Sequence, residues 1–142
     1  MSGLKKFITG ALLICAAAAW TVVVVRPLYA EMVFTKAKNF YSGYRWTRAE
    51  SEFAALVNID PYNSEYLSAY GDLLRTLSFT RKDGLSYIDK AIDVYREAVR
   101  LNPRWSEYKV KLGQAILVKW KRSGGGAGEL KEAVRLFREA VF

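Results

Sequence analysis

A repeat at a spacing of forty-two residues narrows the fold more than any other feature of this chain. Three segments carry it: RAESEFAALVNIDPYNSEY from Arg48, KAIDVYREAVRLNPRWSEY from Lys90, and EAVRLFREAVF from Glu132. Ala49, Ala91 and Ala133 stand 42 apart, as do Phe53, Tyr95 and Phe137, and Leu56, Ala98 and Ala140. Pro61 and Pro103 keep the offset, as do Ser64-Glu65-Tyr66 and Ser106-Glu107-Tyr108, and Gly71 and Gly113. Self-similarity at such a period marks stacked units, each too small to bury its apolar face alone.

Within a unit the apolar period is helical. Ala91, Ile92, Tyr95, Ala98 and Val99 trace one helix face, and Tyr66, Leu67, Tyr70, Leu73, Leu74 and Leu77 trace another. Asn102-Pro103 ends a helix, because the residue before proline is driven out of the helical region. Gly84 and the run Ser123–Gly128 mark turns. The expectation is an all-α chain of about three antiparallel helix pairs, over 28–59, 64–101 and 104–142, stacked as a short α-solenoid.

These positions resemble the tetratricopeptide repeat family. That resemblance assigns Gly71 and Gly113 to the small position of the first helix and Ala49, Ala91 and Ala133 to the alanine of the second. Phe53, Tyr95 and Phe137 match its aromatic, Ala98 and Ala140 its next small residue, and Pro61 and Pro103 its closing proline. The resemblance covers roughly residues 30–142. The family unit has about 34 residues. The eight extra residues here fall around 78–85 and 121–128, and imply longer first helices and longer inner turns.

The N-terminus reads differently. Lys5 and Lys6 precede Phe7–Val25, a run of 19 residues without a charge. At helical rise it reaches about 28 Å, close to a bilayer core of about 30 Å. Arg26 and Pro27 end it. The expected layout is a membrane anchor over 1–27, with a transmembrane helix at about 7–25, joined without a linker to a repeat domain over 28–142. A cleaved signal peptide is the competing reading, but the apolar run is longer than such peptides use. Ala11, Cys15 and Ala19 recur every fourth residue and form a small-residue stripe on which another membrane helix could pack. Phe40, Tyr41, Tyr44 and Trp46 lie among Lys36, Lys38, Arg45 and Arg48, a mixture suited to the headgroup layer.

Chemistry is sparse. The chain has no histidine and one cysteine, so a histidine triad, a cysteine zinc site and an internal disulfide are excluded. The glycine-rich run lacks the strand and lysine of a phosphate loop. Asp72, Asp89 and Asp93 read as solvated helix positions. No catalytic residue, metal ligand or cofactor is expected, and no enzymatic role.

The net charge of +8 is uneven: +6 over 1–48, −3 over 49–103 and +5 over 104–142. No nucleic-acid motif accompanies it, and nucleic acid is not an expected partner. Lys119-Trp120-Lys121-Arg122 reads as a helix end whose cations oppose the helix dipole.

Binding of other proteins remains. The family resemblance implies an inner face lined by first-helix residues off the packing stripe: Glu65, Ser68, Asp72 and Arg75, then Glu107, Val110, Gln114 and Leu117. It does not imply the family's grip on a C-terminal carboxylate, whose lysines and asparagines are not reproduced there. Phe137, Val141 and Phe142, in the last helix, form an uncovered end for a partner or a second copy. The expected role is a single-pass interaction scaffold, a small accessory subunit of a membrane or envelope complex. Its expected site is a bacterial inner membrane with the repeats on the periplasmic side. The alternative is an accessory or split-off repeat tail of an O-antigen ligase-like envelope polysaccharide enzyme.

Overall fold

Each unit folds as an antiparallel helix pair. The structure is a computed structural model and describes residues 2–141. Helix α1 (Ser2–Trp20) runs through a π-helical turn (Thr21–Val25) into α2 (Arg26–Ser42). Then α2 pairs with α3 (Trp46–Ile59), α4 (Ser64–Thr80) with α5 (Gly84–Leu101), and α6 (Ser106–Ser123) with α7 (Ala127–Val141). From α2 onward each helix packs on the next in sequence, as in a solenoid.

Local chemistry sets the ends. Asn63 caps α4, its Oδ1 accepting from the backbone N–H of Glu65 at 3.0 Å and of Tyr66 at 3.3 Å. Helix α5 stops at Leu101, before Asn102-Pro103. Gly124 closes α6 in the left-handed region, φ 67°. Lys121 and Arg122 occupy the last turn of α6, where cations oppose the dipole. Tyr44 also has positive φ, 57°, a conformation costly for a side-chain-bearing residue, and its ring packs edge-on to Trp46 at 5.3 Å.

The extra length sits elsewhere than the sequence suggests. The inner turns are short, at 43–45, 81–83 and 124–126, so the expectation of longer turns fails. The helices take the length on both sides: α4 has 17 residues, and α5 and α6 have 18 each. The first unit lacks the extension. Its α3 has 14 residues, and Ala37 precedes Ala49 by 12 positions, where Gly71 precedes Ala91 by 20.

The core runs through the stack. Ala30, Phe34, Ala37, Ala49, Phe53 and Leu56 bury the first pair against Tyr66, Leu73 and Leu77 of the second. Leu74, Ile88, Ala91 and Tyr95 join the second pair to Leu112, Ile116, Ala133 and Leu136 of the third. Phe40, Tyr41 and Trp46 pack against the first of these clusters.

Helix α2 continues α1, and Pro27 does not break it. Proline has no N–H for the carbonyl four residues back, and its ring crowds that carbonyl. The wider π turn lies just before it, with the Arg26 N–H reaching the Thr21 carbonyl. Among the described residues one helix is long and apolar enough to cross a membrane, and its apolar window is unburied. Arg26 fixes this helix to the first pair: its Nε donates to the Ile59 carbonyl at 2.7 Å, and its Nη2 to the same oxygen. The Asp60–Asn63 loop therefore lies at the level of Arg26. The inner turns, with Tyr44 and Trp46, lie on the opposite edge.

Candidate binding groove

A groove of about 650 Å³ opens along the first helices of the three pairs. Phe34, Lys38 and Tyr41 come from α2, Ser64, Glu65, Ser68, Ala69 and Asp72 from α4, and Glu107, Tyr108 and Lys111 from α6. Phe53 of α3 and the loop residues Asn63, Asn102 and Trp105 complete it. Its aromatic floor is built by the fold: Phe34, Phe53 and Tyr108 are each less than a tenth exposed.

Asp72 organises the polar wall. Its Oδ1 accepts from the Tyr95 hydroxyl at 2.6 Å and its Oδ2 from Lys111 Nζ at 2.8 Å. Lys111 Nζ also donates to Ser68 Oγ at 3.0 Å and pairs with Glu107 Oε1 at 3.0 Å. An ammonium has three hydrogens, and these partners account for all of them. Burial presses the Lys111 pKa down, but Asp72 and Glu107 outweigh it, and the net shift is upward. The hydrogen bond from Lys111 holds the Glu107 carboxyl below its usual value. Burial first, and then the Asp72 carboxylate, push the Tyr95 hydroxyl above the tyrosine range. Burial and the hydrogen bond to Glu31 likewise raise Tyr66 to about 12.

The groove gathers Glu65, Ser68, Asp72 and Glu107. Asp72 is not the solvated residue its helix position suggested, because Tyr95 and Lys111 converge on it. Arg75 turns toward Asp72, 3.8 Å away, and it and exposed Gln114 lie outside the lining. Val110 is half-buried beyond the lining, and Leu117 packs with the second core cluster. Asp89 pairs with Lys119 at 2.9 Å and Asp93 with Arg96 at 3.7 Å. Phe137 is not an uncovered end residue: its ring covers Gly113, within the third pair. Val141 is exposed, and Phe142 lies outside the described residues. Ala11, Cys15 and Ala19 are exposed on α1.

Lys38, Lys111 and Trp105 were missed from the sequence. The spacing of Glu107 and Lys111, four apart on a helix, was the available signal for one of them. Nothing local marks Lys38, whose ammonium lies 5.0 Å from the centre of the Phe34 ring and makes no ion pair among the described residues.

No family model matches the chain, and no curated protein matches it. Solved structures do. The second tetratricopeptide domain of Spaghetti, bound to an Hsp90 peptide, superposes with a TM-score of 0.62 at 15% identity, over 79% of this chain and 89% of that one. The type III secretion translocator chaperone SycD of Yersinia enterocolitica gives 0.60 at 22% identity, over 78% and 71%. The TPR2B domain of yeast Sti1, in complex with pHsp70, gives 0.55 at 15% identity, over 80% and 97%. The three helix pairs of this chain have the tetratricopeptide-repeat fold.

Proposed function

We propose that this chain is a protein-binding scaffold, tethered to a membrane by its N-terminal helix, that holds a segment of a partner protein in the groove along α2, α4 and α6. The groove itself carries the reading. It draws side chains from all three pairs, and its aromatic floor and polar walls suit a peptide better than a small substrate. Lys38 and Lys111 face Glu65, Asp72 and Glu107, so the lining is net negative by one charge. Lys111 is already committed to Asp72, Ser68 and Glu107. The partner segment is therefore apolar and neutral to basic, not an acidic tail.

The tether rests on the uncharged run Phe7–Val25, and on the unburied helix that continues from it into α2. Lys5 and Lys6 before the run favour an inside N-terminus, against Arg26, Lys36 and Lys38 after it, and we read the chain as a bacterial inner-membrane protein with its repeats outside the cytoplasm. In that setting the role is a small accessory subunit of an envelope complex.

A photo-crosslinking residue at Lys38 or Glu65, in native membranes, should capture one and the same protein. The same residue at Ser86, exposed on α5, should not. Capture from Ser86 alone would refute the groove as the binding face.

A further inference from the structure

We propose that the edge of the solenoid formed by the Asp60–Asn63 and Asn102–Trp105 loops rests in the lipid headgroup layer, with Tyr62 and Trp105 as its interfacial anchors. The inference depends on the membrane tether proposed above, and reverses the edge that sequence alone favours. Tyr44 and Trp46, with Arg45 and Arg48, look in sequence like the headgroup-binding cluster. They stand at the far end of α2. Arg26 to Ser42 spans about 24 Å of helix, well beyond a headgroup layer for an anchor tilted by the usual 20° or so.

The loop edge is at the right depth. Arg26 is the first charge after the apolar run, and it bonds the Ile59 carbonyl at 2.7 Å. Asp60–Asn63 follow directly, at the boundary where the hydrocarbon ends. The next loop lies beside it: Asn63 and Trp105 line one groove, and Ser64 Oγ donates to the Tyr108 hydroxyl at 3.4 Å.

The chemistry fits that depth. Tyr62 is 76% exposed and Trp105 52%, and aromatic side chains with a polar tip concentrate at the membrane interface. Exposed Arg104 supplies a cation for lipid phosphate. The surface is continuous with the tether, since Arg26 belongs to both. The repeat domain thus stands on the bilayer at two further points and does not swing on a single helix.

Tyr44 and Tyr62 provide a matched pair, each 76% exposed, on opposite edges. The full unmodified chain would be placed in phosphatidylethanolamine–phosphatidylglycerol vesicles and nanodiscs. Vesicles are washed with alkaline carbonate. Nanodiscs are iodinated with lactoperoxidase, an enzyme too large to enter the headgroup layer, and each tyrosine is followed by peptide mass spectrometry. The proposal expects the chain to stay with the vesicles and Tyr62 to react several-fold more slowly than Tyr44. A retained chain in which Tyr62 reacts as fast as Tyr44, or faster, overturns the proposal and leaves the tether standing. Release by carbonate overturns the tether, and the proposal with it.

Discussion

The ring of Tyr95 fills the space that a side chain at Gly71 would need: a Cβ at Gly71 would lie 2.6 Å from Tyr95 Cε1. Forty-two residues on, Phe137 covers Gly113 in the same way, at 2.8 Å. Each pair closes at this contact. Tyr95 is fully buried and tied by its hydroxyl to Asp72, so it cannot withdraw. Gly71→Ala should destabilise the domain by about 1–3 kcal/mol through overpacking, despite the better helix propensity of alanine. Gly113→Ala should cost less, since Phe137 is only partly buried and has no hydroxyl to hold it. Denaturant unfolding of the full chain in micelles, followed by far-UV circular dichroism, checks both the sign and the order.

Asp72 serves two donors, so its loss should exceed the loss of either. Asp72→Ala leaves the buried Tyr95 hydroxyl without its acceptor and Lys111 with only Ser68 and Glu107, at a cost of about 2–3 kcal/mol. Lys111→Met should cost less, because Asp72 still receives Tyr95. A double-mutant cycle between Asp72 and Lys111 should return a coupling of roughly 1 kcal/mol. A coupling near zero would remove Lys111 from the polar wall.

Stability should fall at both ends of the pH range, for separate reasons. Tyr66, Tyr70, Tyr87 and Tyr95 all have raised pKa values, with burial the first cause in each. The unfolded chain ionises these hydroxyls near pH 10 while the folded chain keeps its protons, so their contribution is complete below about pH 10 and is lost above it. Phenolate absorbance should rise together with unfolding, and Tyr95→Phe should flatten the alkaline slope. Glu97 and Glu107 have lowered pKa values, caused first by hydrogen bonds from Arg100 and Lys111. Their contribution is present above the ordinary glutamate pKa of about 4.3 and is lost as pH falls through their folded values.

Arg26 caps the last turn of α3 from the start of α2. Arg26→Ala should weaken that turn by about 1 kcal/mol, a severalfold rise in amide exchange rate. Hydrogen exchange at Asp60, whose N–H donates to the Leu56 carbonyl at 2.9 Å, reports it. Exchange should change little in α7, which packs on α6 in the third pair.

The repeat was legible because its signal is redundant. Alanine, aromatic, small residue and proline recur together, and any two would have suggested a helix pair. The length of the inner turns was not legible, since nothing in Ser78–Leu85 breaks a helix before Gly84, and α4 and α5 simply extend into it. The groove was half legible. Glu65, Ser68, Asp72 and Glu107 follow from their helix face, whereas Lys38 and Trp105 reach it only through the stacking of neighbouring pairs. Phe137 misled as an uncovered residue because sequence does not show that its aromatic ring covers Gly113.

The most direct test of a partner-binding groove is purification through this chain after gentle detergent extraction of native membranes, with mass spectrometry of what accompanies it. It should be run in parallel with a Lys38→Glu, Glu65→Arg variant, whose altered side chains are both exposed. The expected result is a stoichiometric protein companion that the unaltered chain retains and the variant loses, with helicity unchanged. The chain emerging alone, or a companion held equally well by the variant, would contradict it.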